Sequence, residues 1–253
     1  FNIENQIARV TFNRPEQHNA ISYNGWLKLI EIVNKIEEDS SIRSVVFSGE
    51  GEKAFSAGAD IKDFETHRKD SKTAKTYSTA FDGALDAIEA LSVPTISMIR
   101  GICVGGGCEL SMATDIRIAS NKSRFGIPVA KLGILVGYRE MKRLVNLVGP
   151  GNASYILLSG RLIDSAEAFR MGLITQLVED SELEETVLNL ANEITPLAPL
   201  SQKRHKIILQ NVISNQSLDG LDQELPYTNF DSADFQEGKE AFISRRPPNF
   251  KGR

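Results

Sequence analysis

Apolar and polar positions alternate along the first twelve residues well enough to predict a strand from Ile3 to Phe12, broken by Asn13-Arg14-Pro15. From Trp26 to Ile36 the period changes. Trp26, Leu29, Ile30, Val33 and Ile36 recur at helical spacing. Ser44 to Ser48 is a short buried-strand candidate ended by Gly49-Glu50-Gly51, and a loop rich in small residues follows from Lys53 to Lys62. Asp63 to Ser71 is polar. Helical spacing returns at Tyr77, Phe81, Leu85, Ile88 and Leu91, and Thr95 to Ile99 is the next strand.

Beyond residue 100 the pattern predicts strands at Ile116–Ala119 and Thr175–Val178, with helices over Gly137–Leu147, Ala153–Leu158 and Ala166–Met171. After Leu183 the chain reads almost wholly as helices, punctuated by Pro196, Pro199 and Pro226. Strands alternating with helices, then helices alone, predict an α/β core over residues 1–195 and a helical C-terminal region over residues 196–253.

Composition narrows the classes. The 253 residues are 41% hydrophobic and 25% charged, ordinary for a globular protein, and a formal net charge of -4 argues against a nucleic-acid binder working through a basic field. No apolar run reaches membrane-spanning length, and no secretory leader is recognisable. The chain opens inside a strand pattern, so a few native residues are expected ahead of Phe1, and the cytoplasm is the expected compartment. Cys103 and Cys108 have neither the number nor the spacing of a disulfide framework or a zinc site, and read as small apolar fillers. No metal site is expected.

The chemistry concentrates between Gly101 and Asp115. A strand stops at Arg100-Gly101, and Gly105-Gly106-Gly107 opens a helical stretch with Glu109 in its first turns. Glycines let a ligand approach bare N–H groups. The free N–H groups at a helix start favour an oxygen that gains negative charge, and a carboxylate one turn away can move a proton or hold a water. That layout is an oxyanion hole beside an acid/base. The same run also serves tight strand–helix packing, and a carboxylate there also complements the helix dipole. It is neither a P-loop, lacking Gly-Lys-Ser/Thr, nor a dinucleotide fingerprint, since the glycines are contiguous.

Five motifs stand in one order: Asn13-Arg-Pro-Glu-Gln-His-Asn-Ala20, Phe55-Ser-Ala-Gly-Ala-Asp60, Gly105-Gly-Gly-Cys-Glu-Leu110, Phe125-Gly-Ile-Pro128 with Leu132-Gly133, and a C-terminal stretch with Glu237-Gly238, Ala241-Phe242 and Arg245-Arg246. Together they resemble the crotonase (enoyl-CoA hydratase/isomerase) superfamily from end to end. The resemblance implies a crotonase-like spiral of β-β-α units with a C-terminal helical trimerisation region, a homotrimer or dimer of trimers, and a coenzyme A thioester as substrate with no tightly bound cofactor. It assigns the amides of Ala59 and Gly106 to the thioester carbonyl and Glu109 to catalysis. It places Lys53, Ala57 and Lys62, with Phe242 and Arg245 of a neighbouring subunit, on the coenzyme A moiety. Taken alone, each of these cations reads as a solvated surface charge.

One departure stands out. Hydratases of this superfamily hold a water between two glutamates, and the second belongs just after Phe-Gly-x-Pro, where this chain has Val129. A lone Glu109 suits moving a double bond, which needs one base, although isomerases of the family often keep the very glutamate that is missing. A valine wall should also raise the pKa of a carboxyl facing it. Tyr138 and Glu140, where hydratases carry small residues, either replace the lost group or simply begin an exposed helical turn. Hydration of a 2-enoyl-CoA is the leading expectation. The alternatives are a double-bond isomerase using Glu109 alone, a specialised acyl-CoA hydrolase, and a non-catalytic acyl-CoA-binding protein. His18, His67 and His205 have no nucleophile or metal partner by spacing and receive no catalytic role.

Overall fold

The computed structural model describes residues 1–214 and 218–253. Its strands are β1 (Asn2–Glu4), β2 (Ile7–Phe12), β3 (Ser44–Gly49), β4 (Ala54–Ser56), β5 (Thr95–Ile99), β6 (Ile102–Val104), β7 (Ile116–Ser120), β8 (Arg124–Gly126), β9 (Ile163–Asp164) and β10 (Gln176–Val178). Its helices are α1 (Tyr23–Glu38), α2 (Phe64–His67), α3 (Ser71–Ala90), α4 (Gly106–Met112), α5 (Tyr138–Ser159), α6 (Ser165–Met171), α7 (Leu183–Ile194), α8 (Pro199–Ser214), α9 (Gly220–Thr228) and α10 (Ala233–Ser244).

Two sheets share the strands. One runs β1-β2-β3-β5-β7-β10 and the other β4-β6-β8-β9. Each of the pairs β3/β4, β5/β6 and β7/β8 therefore puts its first strand in the larger sheet and its second in the smaller, before a helix leads to the next turn. This is a spiral of β-β-α units, as the resemblance implied. The pairings are parallel except at β1/β2 and β8/β9.

Strand period decides which core each side chain enters. On β3, Val45 and Phe47 face α1 and α3 with Trp26, Leu29, Val33 and Leu85. Val46 faces the other way, with Ile7, Ile96 and Ile118, onto Leu183, Val187 and Ala191 of α7. Both faces are covered, which is why these strands read as short apolar runs.

Three sequence expectations change. The single strand at Ile3–Phe12 is a hairpin, because Asn5 and Gln6 both take positive φ and turn the chain. The helices expected at Gly137–Leu147 and Ala153–Leu158 meet in one kinked element, α5, bent at Gly149 (φ 74) beside Pro150. The polar stretch after Asp63 is the helical turn α2, followed by a capping box in which Asp70 and Thr73 start α3. The C-terminal region leaves Leu209 and Val212 of α8, Phe230 between α9 and α10, and Phe242 of α10 exposed. Lys206 ties α8 to the core through Asp115 (2.7 Å).

Candidate active site

The loop carrying Ala59 is fixed by the first motif. Asn19 donates through Nδ2 to the carbonyls of Glu50 (3.0 Å) and Ala54 (2.7 Å) and accepts from the Arg14 amide (3.0 Å). Arg14 in turn pairs with Asp60 at 2.8 Å. Backbone bonds complete the clamp: Ala57 donates to His18, Ile21 to Gly58, and Asp60 to Ile21. Asn13 to Ala20 is thus a brace, and its effect on chemistry runs through the position of residues 57–60.

The glycine run meets that loop. Gly58 has φ +86, and a Cβ there would stand 2.5 Å from the Gly106 amide nitrogen. A Cβ on Gly107 would stand 2.3 Å from the Ser56 carbonyl, so α4 lies directly against β4. A Cβ on Gly106 would stand 3.3 Å from the Ala59 nitrogen, so the two amides are near neighbours. Adjacent amides are used by backbone partners: Asp60 by Ile21, and Gly105 by Gly126 (2.8 Å). No backbone carbonyl among the described residues accepts from Ala59 or Gly106. Gly106 is also the first residue of α4, where N–H groups lack an intrahelical acceptor.

Both residues line a cavity of about 390 Å³ whose walls are mostly apolar, among them Phe64, Phe81, Val129 and Val136. Glu109 lines it too, on a helix buried along its whole length. Burial raises its pKa to about 8, the neighbouring Glu140 carboxylate pushes the same way, and Arg68 opposes. Arg68 sits at the cavity with its guanidinium 4.8 Å from the centre of the Tyr77 ring. Tyr77 is itself fixed by accepting from Trp26 Nε1 at 2.8 Å.

The structure separates the two residues expected to share a fate at the start of α5. Tyr138 is 97% exposed. Glu140 is 2% exposed and lines the cavity with Glu109, so the exposed-turn reading holds for Tyr138 and fails for Glu140. The physical reason is the helical period: two residues along an α-helix turns the side chain by about 200°. Sequence reading missed Asp82 on α3 as well, half-buried at the cavity with its pKa raised by burial. Its only sequence signal is that it follows Phe81 by one position on an otherwise amphipathic helix.

Of the residues assigned to coenzyme A, Ala57 lines the cavity and, with Lys62 and Ala59, a more open hollow beside it. Lys53 is exposed and lines a separate hollow with Glu52 and His18. Phe242 and Arg245 are exposed at the end of α10 and line neither the cavity nor the hollow with Lys62. Cys103 and Cys108 are buried and free, as fillers should be. Among the described residues no cluster could hold a metal ion, and no helix is long and apolar enough to cross a membrane.

A β-β-α spiral that presents two free amides and a buried carboxyl to one apolar cavity defines a class of acyl-thioester enzymes in which an enolate oxygen is held by backbone N–H groups. The model of the enoyl-CoA hydratase/isomerase family matches residues 2–253, and the chain belongs to that family. It is 35% identical over 257 residues to the short-chain-enoyl-CoA hydratase of Clostridium acetobutylicum, covering 99% of this chain and 96% of that protein. It is 32% identical over 254 residues to the crotonyl-CoA hydratase of Syntrophomonas wolfei, covering 98% and 95%. Among solved structures, an enoyl-CoA hydratase/carnithine racemase from Magnetospirillum magneticum superposes with a TM-score of 0.96 at 36% identity, covering 99% of this chain and 94% of that one.

Proposed function

We infer that this enzyme hydrates a 2-enoyl-CoA, with Glu109 moving the proton and the amides of Ala59 and Gly106 holding the thioester oxygen. The observation that carries the reading is that a buried carboxyl, with a pKa pushed up to about 8, shares one cavity with those two amides. A carboxyl with a pKa near the working pH both gives and takes a proton readily. Two fixed donors at the developing enolate oxygen supply the main electrostatic stabilisation, each worth on the order of 3 kcal/mol. The apolar walls suit a hydrocarbon acyl chain. The hydratases of Clostridium acetobutylicum and Syntrophomonas wolfei support water addition as the reaction.

Coenzyme A would extend over the open hollow at Ala57 and Lys62, where the lysine meets a phosphate. Phe242 and Arg245 would reach the nucleotide only from a second subunit. Exposed Phe230, Phe242, Leu209 and Val212 in the C-terminal region support assembly into a homotrimer or a dimer of trimers. Double-bond isomerisation is the second reading, favoured by the apolar Val129 at the cavity wall.

The test compares crotonyl-CoA and a 3-enoyl-CoA as substrates for wild type and Glu109→Gln. Hydration by wild type that the substitution removes is the expected result. Isomerisation without hydration replaces the first reading by the second, and binding without either reaction overturns both.

A further inference from the structure

Val129 removes a carboxylate from one part of the cavity wall, and the same wall supplies another eleven residues later in the chain. Glu140 lies in the first turn of α5, with its side chain 3% exposed. Its Oε2 folds back over Gly137, where a Cβ would stand 2.4 Å from it; the glycine leaves the space that the carboxyl occupies. Arg143, one turn on, lies 3.4 Å from Glu140 Oε1 and is held from behind by Asp86 and Glu89 of α3, each at 2.7 Å. Asp82 faces the same cavity. A carboxyl at the start of α5 can complement the helix dipole from solvent, and that role does not require it to line the cavity. Burying a charge is costly unless it is paired, and Arg143 supplies the pair.

We propose that Glu140 is the second catalytic carboxylate of this enzyme, holding with Glu109 the water that adds to the substrate. The inference rests on the hydratase reading above and names the group that makes it complete. Burial raises the pKa of Glu140 as it does that of Glu109, and Arg143 beside Glu140 opposes the rise. In the proposed step Glu140 acts in its ionised form and Glu109 in its protonated form. Glu140 takes a proton from the water as its oxygen bonds to Cβ. The electrons of the Cα=Cβ bond move through the thioester to its carbonyl oxygen, held by the Ala59 and Gly106 amides. Glu109 then gives its proton to Cα as the enolate collapses. The net change is addition of H and OH, and the proton left on Glu140 returns to Glu109, or exchanges with solvent, before the next turnover.

The two carboxylates are separated by a reaction that needs only one. Exchange of the Cα protons of butyryl-CoA with D2O requires the amide pair and Glu109, but no water addition. Wild type should hydrate crotonyl-CoA and catalyse the exchange. Glu109→Gln should lose both. Glu140→Gln should lose hydration by a hundredfold or more in kcat, with KM little changed and most of the exchange retained. If Glu140→Gln fails to fold, Glu140→Asp, which keeps the charge but draws the carboxyl back by a methylene, should show the same split in milder form. A folded Glu140 variant that hydrates like wild type overturns the proposal and leaves the hydratase reading intact. So does one that loses exchange and hydration in equal measure, since that is loss of site structure. A wild type that hydrates no 2-enoyl-CoA overturns both.

Discussion

Two walls of the cavity, those of α4 and α5, each bring a glutamate to it, and they are built on opposite principles. On the α4 wall the backbone does the positioning: Gly106 and Gly107 press against Ala59 and Ser56, and the buried helix leaves Glu109 no other direction. On the α5 wall a side chain does it. Glu140 reaches inward from a helix whose preceding residues, Tyr138 and Arg139, stand in solvent, and it is held by Arg143 within an ion-pair network with Asp86 and Glu89. Among the described residues Glu109 has no ion pair, and its pKa is raised to about 8, whereas Glu140 is buried against a guanidinium. Burial raises the pKa of both acids, Asp82 pushes both the same way, and Arg143 beside Glu140 works against that rise.

The largest expected effect breaks the α4 wall. Glu109→Gln should lower hydration of crotonyl-CoA by roughly a hundred- to ten-thousand-fold, measured as kcat with purified protein. Next comes the amide pair. Gly58→Ala adds a Cβ 2.5 Å from the Gly106 nitrogen at a positive φ, and should cost on the order of a hundredfold in kcat by displacing one donor. Retention of wild-type turnover by either variant would place the chemistry elsewhere in the molecule.

The α4 wall was legible in the sequence because glycine contacts are written in backbone terms. Three contiguous glycines after a strand, with an acid in the next turn, have few other structural readings once the Phe55–Asp60 loop is set beside them. The parallel strands were legible for a similar reason, since burial on both faces leaves an apolar run. The α5 wall was not. Val129 announced a missing group, but whether Tyr138 or Glu140 turned inward depended on the phase of α5, which follows from how Leu144 and Val148 pack rather than from the residues at its start. Asp82 was hidden for the same reason. The hairpin turn at Asn5-Gln6 escaped because Gln is a rare choice for positive φ.

A melting experiment sharpens the contrast between the two acids. The folded-state pKa of Glu109 lies near 8 against an ordinary 4.5, so between those values the folded protein binds more protons than the unfolded chain. Stability contributed by this group is therefore full below about pH 4.5 and is lost as pH rises towards 8, at about 1.4 kcal/mol per unit of pKa difference. Glu109→Gln has no proton to lose. Its Tm should match wild type near pH 5 and exceed it near pH 8.5, the shift reporting a stability difference on the order of a few kcal/mol. Parallel melting curves for the two proteins across that range would contradict the buried, unpaired carboxyl.

The smallest expected effect tests the α5 wall without touching its carboxylate. Gly137 has φ -70 and ψ 165, a conformation open to any residue, so Gly137→Ala brings no backbone strain. Its new Cβ would meet one atom closer than 3 Å, Oε2 of Glu140, which sits at the far end of a flexible side chain. The fold can absorb the methyl by swinging that carboxyl aside, and Tm should change little. The swing moves the acid away from the water it would hold against Glu109, and misplacement of a reacting group by about 1 Å is enough to cost up to a hundredfold in rate. Because the side chain can relax part of the way back, a loss of about tenfold in hydration is expected, with Cα exchange of butyryl-CoA preserved. Unchanged hydration in Gly137→Ala would show that the position of Glu140 does not matter to the reaction, and would leave α4 as the only working wall.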